Sequence, residues 1–269
     1  MTEQPTESTD RVAIEVTDHV AVVTLTRPEK HNALDLPMLD AIIAAAERLH
    51  GESGVRAVVL HGAGASFCSG LDFPAVAAAG GLEAFTGILD EAPPNYFQRV
   101  CHDWIDLPVP VVAAIHGNCL GGGLQIALAA DIRIATADAR LSVMEGRWGL
   151  IPDMSITRTL PRLVGIDVAK ELTYTARTVS GEEARALGLV THVAQEPLAA
   201  AITLAHEIAG RSPDAVRRAK RLFDEGWQGT AADTLALEAK LQGELIGSPN
   251  QLAAMTAAFT KQQPEFTDP

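Results

Sequence analysis

Two hydrophobic periodicities alternate along the first 160 residues. VAIEV (12–16) and VAVVTL (20–25) are β-rich runs parted by Thr17-Asp18-His19, which predicts a hairpin. Arg27-Pro28-Glu29-Lys30 breaks the regular structure. From 37 to 50, apolar residues at 38, 39, 42, 43, 46 and 49 follow helical spacing. RAVVLHG (56–62) and PVVAAIHG (110–117) are continuous apolar runs ending in glycine turns, the pattern of strands covered on both faces. Helical stretches between them give the order β, β, α, β, α, β, α, β. After Leu160 the pattern turns helical, over 167–176, 180–187, 197–210, 213–225, 231–246 and 249–262, and Ser180 with Glu183 reads as a capping box.

Composition narrows the class. A hydrophobic fraction of 47% with 4% aromatics means a core of Ala, Val, Leu and Ile. No apolar run reaches the roughly 18 residues of a membrane span. MTEQPTESTD (1–10) lacks an apolar signal core and reads as a disordered tail. Cys68, Cys101 and Cys119 are odd in number and lack metal spacing, which predicts a reducing, cytoplasmic setting and no metal. A net charge of −13 with no basic block argues against nucleic acid. A phosphate-bearing ligand would then be held by local cations such as Arg27 and Lys30.

The most informative segment is HGNCLGGGLQIALAADIRIA (116–135). Glycine weakens a helix, so Gly121, Gly122 and Gly123 at the first turn of one call for another reason. Without Cβ atoms the backbone can approach a ligand, and the unpaired N–H groups of the helix start face its negative charge. GASFCSGLDF (64–73) follows its own strand in the same way. If the two strands are neighbours, the amides of Leu71 and Gly122 converge on one oxygen. Each turn alone is equally a tight strand-to-helix connection. Neither contains GxGxxG.

Both turns resemble the oxyanion-hole signatures of the crotonase superfamily, the enoyl-CoA hydratase/isomerase family. RPEKHNAL (27–34), TVSGEEARALGLVTHV (178–193) and AFTKQQPEF (258–266) resemble further segments of that family, so the likeness runs from about residue 12 almost to the end. It implies an α/β fold, a crotonase-like spiral of ββα units over 11–200, with a C-terminal helical trimerisation region over 201–269. It implies an acyl-CoA thioester held between the amides of Leu71 and Gly122, with coenzyme A as part of the substrate and no separate cofactor. Lys30, Ala33, Ala65, Ser66 and Phe67 fall where the family contacts CoA. Lys261 and Phe266 fall where a tail reaches a neighbour's CoA pocket, in a homotrimer or a dimer of trimers.

The chemistry then rests on carboxylates, because a thioester enolate needs a base beside the carbon whose proton leaves. Family hydratases resemble one another in two glutamates. The first position here is Gln125, which cannot take a proton, and the second is Glu145. Asp153, eight residues on, gives VMEGRWGLIPD a partial likeness to dienoyl-CoA isomerases. Other roles are open to these residues: Glu145 as a partner of Arg147, Asp153 as a helix N-cap, Arg158 and Arg162 as surface charges. Cys68 and Cys119 read as packing residues, and His116 as a buried, hydrogen-bonded residue and not a base. The acyl pocket is expected among residues 73–100, with Phe73, Phe85, Tyr96 and Phe97.

The reading is an enoyl-CoA hydratase/isomerase-type enzyme, with Glu145 moving protons, Asp153 as a second shuttle, and double-bond isomerisation preferred. Hydration of a 2-enoyl-CoA, with Gln125 orienting water, is the alternative. A non-catalytic acyl-CoA-binding protein is the rival of another class. A serine peptidase on a related spiral is disfavoured, because GxSxG is missing and Ser69 has no evident partners.

Overall fold

A computed structural model describes residues 7–8, 11–81, 86–87, 92–227 and 229–269. Phe85 lies outside them. β2 (Val12–Thr17) and β3 (Val20–Leu25) form the expected antiparallel hairpin. Its two-residue turn, Asp18 and His19, has both φ angles positive, which suits the twist of the flanking strands. β1 (Glu7–Ser8) pairs with Ile14 and Ala13. The segment expected to be a disordered tail therefore contributes a short edge strand.

β4 (Ala57–Gly62), β5 (Val111–Ile115), β7 (Ile132–Ala135) and β10 (His192–Val193) continue the sheet from β3 in parallel, in the order β1-β2-β3-β4-β5-β7-β10. β4 and β5 are direct neighbours, so the loops that follow them leave the same edge. One face is covered by α1 (Leu36–His50), α3 (Tyr96–Ile105) and α4 (Gly122–Ala129), with Met38, Ile42 and Trp104 in the core. α8 (Pro197–Ala209) covers the other through Ala201, Ala205 and Ala209. The division expected at 200 cuts through α8, which belongs with the sheet it buries.

A second sheet, missed in the sequence, joins β6 (Asn118–Leu120), β8 (Arg140–Ser142) and β9 (Val179–Ser180). Ser180 caps α7 (Gly181–Leu187) by accepting from the Glu183 amide. The Glu183 carboxylate instead accepts from Arg177, so the capping box is half built. α9 (Pro213–Gly226), α10 (Ala231–Leu245) and α11 (Pro249–Thr260) close the chain and leave Phe223, Trp227 and Phe259 exposed.

Candidate active site

Backbone pairing carries the loop after β4 onto the loop after β5. The Cys68 amide donates to Asn118 O (3.0 Å), and the Leu120 amide donates to Cys68 O (3.0 Å). The Leu34 amide donates to Gly70 O, and the Asp72 amide to Leu34 O. These bonds skip Leu71. Among the described residues, neither the Leu71 amide nor the Gly122 amide at the start of α4 donates to a protein acceptor. Two glycines make the approach possible. A methyl on Gly70 (φ +87°) would meet Leu120 O at 2.7 Å and stand 3.8 Å from the Gly122 nitrogen. A methyl on Gly123 would strike Cys68 O at 2.5 Å.

The loops are braced by residues the sequence reading assigned otherwise or passed over. Buried Asn32 donates through Nδ2 to the carbonyls of Ala63 and Ser66 (2.9 and 2.8 Å) and accepts from the Arg27 amide. Arg27 is buried as well. Its guanidinium pairs with Asp72 at 2.8 Å and Asp35 at 3.5 Å and donates to Ala33 O. Arg27 is thus a strut and not a phosphate ligand, correcting its pairing with Lys30. A buried arginine next to two acids 8 and 45 positions later leaves no local sequence signal.

Leu71, Gly122, Gln125, Glu145 and Asp153 all line one cavity of about 590 Å³. Glu145 opens a 3-10 turn (Glu145–Trp148) after β8, and Asp153 precedes α5 (Ile156–Leu163). Gln125 links the two segments. Its Oε1 accepts from the Met154 amide (2.9 Å), and its Nε2 donates to Glu145 Oε1 at 2.7 Å. The Met154 bond fixes which end of the amide faces the carboxylate. Glu145 Oε2 is buried without a hydrogen-bond partner among the described residues. Burial raises the Glu145 carboxyl above its ordinary value and nearby Asp153 adds to this, against the lowering bond from Gln125. Burial also raises Asp153, whose side chain opens onto the cavity.

The alternatives at these positions fail on geometry. No ion pair joins Glu145 to Arg147 among the described residues, and Gln125 holds the carboxylate instead. The N-cap of α5 is Ser155, not Asp153. Arg162 is half-buried and lies over the Trp227 ring, 5.8 Å from its centre.

The residues placed by resemblance on the CoA side divide. Lys30 and Ala65 are exposed, on loops bordering Ser69 at the cavity rim. Ala33, Ser66 and Phe67 are buried, and none of the five lines the cavity. Phe67 is wholly in the core. Lys261 caps α11, and the Phe266 carbonyl accepts from Arg56 at the far end of β4, so neither reaches this chain's own cavity. Phe73 and Phe97 line the cavity; Tyr96 does not, and donates instead to Asp40. Trp148, Leu150 and Ile151 also form its wall. Leu150 and Ile151 were legible as an apolar pair between Gly149 and Pro152, with Trp148 just before it. Cys68 and Cys119 are buried, and Cys68 is pushed up to about 12 by burial, in keeping with a packing role.

The comparisons agree with this geometry. The family model for enoyl-CoA hydratase/isomerase matches residues 15–269. The short-chain-enoyl-CoA hydratase of Clostridium acetobutylicum is 35% identical, over 95% of this chain and 97% of that protein. The mitochondrial methylglutaconyl-CoA hydratase of Mus musculus is 33% identical, over 92% and 79%. The crystal structure of enoyl-CoA hydratase from Bacillus anthracis superposes with a TM-score of 0.88 at 32% identity, covering 95% of this chain and 98% of that one. The family model, the relatives and the superposed fold agree: this chain belongs to the enoyl-CoA hydratase/isomerase family of acyl-CoA enzymes.

Proposed function

We propose that the chain isomerises an unsaturated acyl-CoA, moving its double bond along the acyl chain. The Leu71 and Gly122 amides hold the thioester oxygen as it gains charge, one such donor being worth about 3 kcal/mol in the transition state. The Glu145 carboxylate takes a proton from the carbon chain and returns it to another carbon, with Asp153 as the second shuttle. The observation that carries this reading is the Gln125 bridge. Both ends of the amide are engaged, by Met154 and Glu145, and no second carboxylate stands where family hydratases are expected to have one. Isomerisation needs a base that becomes an acid and no bound water. Hydration by a pair of carboxylates needs the second one, and with an amide in its place Glu145 alone would have to take the proton from water.

Hydration is the second reading. It is favoured by the relatives' names and by the second N–H on Gln125 Nε2, which can orient a water towards the substrate. Absorbance separates the two. An isomerase given 3-enoyl-CoA creates the conjugated-thioester band, whereas a hydratase given 2-enoyl-CoA removes it. Loss of the band with no gain from the 3-enoyl substrate overturns isomerisation.

The assembly belongs to the same proposal. Exposed Phe223, Trp227 and Phe259 on the C-terminal helices suit burial in a homotrimer or dimer of trimers, with Lys261 and Phe266 offered to a neighbour and Lys30 and Ala65 to the substrate's CoA. A cytoplasmic location is proposed from cysteine usage. Among the described residues, no helix is long and apolar enough to cross a membrane.

A further inference from the structure

We infer that the acyl group this cavity takes is an uncharged, apolar chain, bound more tightly as it lengthens towards about twelve carbons, and that acyl groups ending in a second carboxylate are rejected. The inference rests on the acyl-CoA reading above but not on which proton chemistry follows. Beyond the two amides the wall is built from Phe73, Val76, Phe97, Trp148, Leu150 and Ile151. Phe73 and Trp148 pack with ring centres 4.5 Å apart. Among the described residues, the only ionisable side chains on the lining are Glu145 and Asp153. A distal carboxylate would leave water for an apolar wall with no cation and with two acids nearby.

Size sets the length. A methylene fills roughly the volume of a water in the liquid, about 30 Å³, so twelve carbons occupy about 360 Å³ of the 590 Å³ available. The remainder admits the thioester end of the carrier. The apolar wall also runs out to the surface, where Trp148 is 57% and Ile151 77% exposed. That strip continues the cavity, and a longer chain covers it.

The test is calorimetric binding of saturated thioesters, which carry no double bond to move or hydrate: butanoyl-, hexanoyl-, octanoyl- and dodecanoyl-CoA, hexanedioyl-CoA and free CoA. A fully buried methylene is worth about fourfold in affinity. With the strip partly open, octanoyl-CoA is expected to bind between about tenfold and a few hundredfold tighter than butanoyl-CoA. Hexanedioyl-CoA is expected to bind at least about tenfold weaker than hexanoyl-CoA. Octanoyl within about threefold of butanoyl, or hexanedioyl as tight as hexanoyl, overturns the inference while leaving the acyl-CoA reading intact. If no thioester and no CoA binds, that reading itself fails. Ile151→Asn, at an exposed position where folding is insensitive, is expected to weaken octanoyl about threefold or more with butanoyl unchanged. If it alters the oligomeric state and leaves the chain-length increment alone, the strip is a subunit contact and the inference loses its upper length.

Discussion

The carboxylates bracing the glycine loops after β4 and β5 and those facing the cavity shift in opposite directions. Burial alone would raise Asp35, but the bond from Arg11, the Met38 amide and the charge of Arg27 outweigh it and bring it below its ordinary value. Asp72 behaves alike: the Ala75 amide and Arg27 overcome burial. Glu145 and Asp153 lie where burial wins, and both are raised. The same residue type is held ionised where a guanidinium completes it, and where none does it is raised, as the proposed proton carriers require.

The sharpest way to break this contrast is Glu145→Gln. It is expected to lower turnover by about 10² to 10⁴ while acyl-CoA affinity stays within a few-fold. Unchanged turnover in a wild-type protein that shows any would remove Glu145 from the chemistry. Tight binding by a wild type with no turnover on any enoyl-CoA would leave a binding protein.

On the scaffolding side, Arg27→Met strands Asp72 and the Ala33 carbonyl in a buried setting. Removing one member of a buried ion pair costs about 3–5 kcal/mol, a melting-point fall of roughly 10 °C for a chain of this size. A fall of under about 3 °C in a thermal melt would mean that the loops hold without it. Asp153→Asn is expected to slow isomerisation about tenfold, towards the low end of what a positioned proton carrier contributes. An unchanged rate limits Asp153 to the cavity wall.

The smallest effect is in pH. A carboxyl raised in the folded protein keeps its proton where the unfolded chain has lost it, so its contribution falls as pH climbs from the unfolded to the folded value. Glu145→Gln is therefore expected to melt above wild type near pH 7.5 and alongside it near pH 4, where both states hold the proton. Asp35 and Asp72, being lowered, stabilise the fold above their unfolded value, and that support is lost as pH falls through the folded one. In turnover, the ionised base sets an acid limb above the ordinary glutamate value of about 4.3.

How much of this was legible follows the range of each interaction. The hairpin, the helices and both glycine turns were read from neighbours in sequence. β6, β8 and β9 have two or three residues each, too few to display a period. That Leu71 and Gly122 line one cavity followed from β4 and β5 being parallel neighbours, whereas Glu145 was placed by resemblance and arrives after β8 of the second sheet. Arg27 was misread because its partners arrive only on folding, and Asp153 was open to a capping role because the start of α5 was placed two residues early.

The paired amides carry one last consequence. Main-chain nitrogens neither titrate in the physiological range nor react with electrophiles, and the thiols behind them are buried. If these amides hold the thioester as proposed, its polarisation is expected to survive thiol-alkylating reagents, because Cys68 and Cys119 are buried.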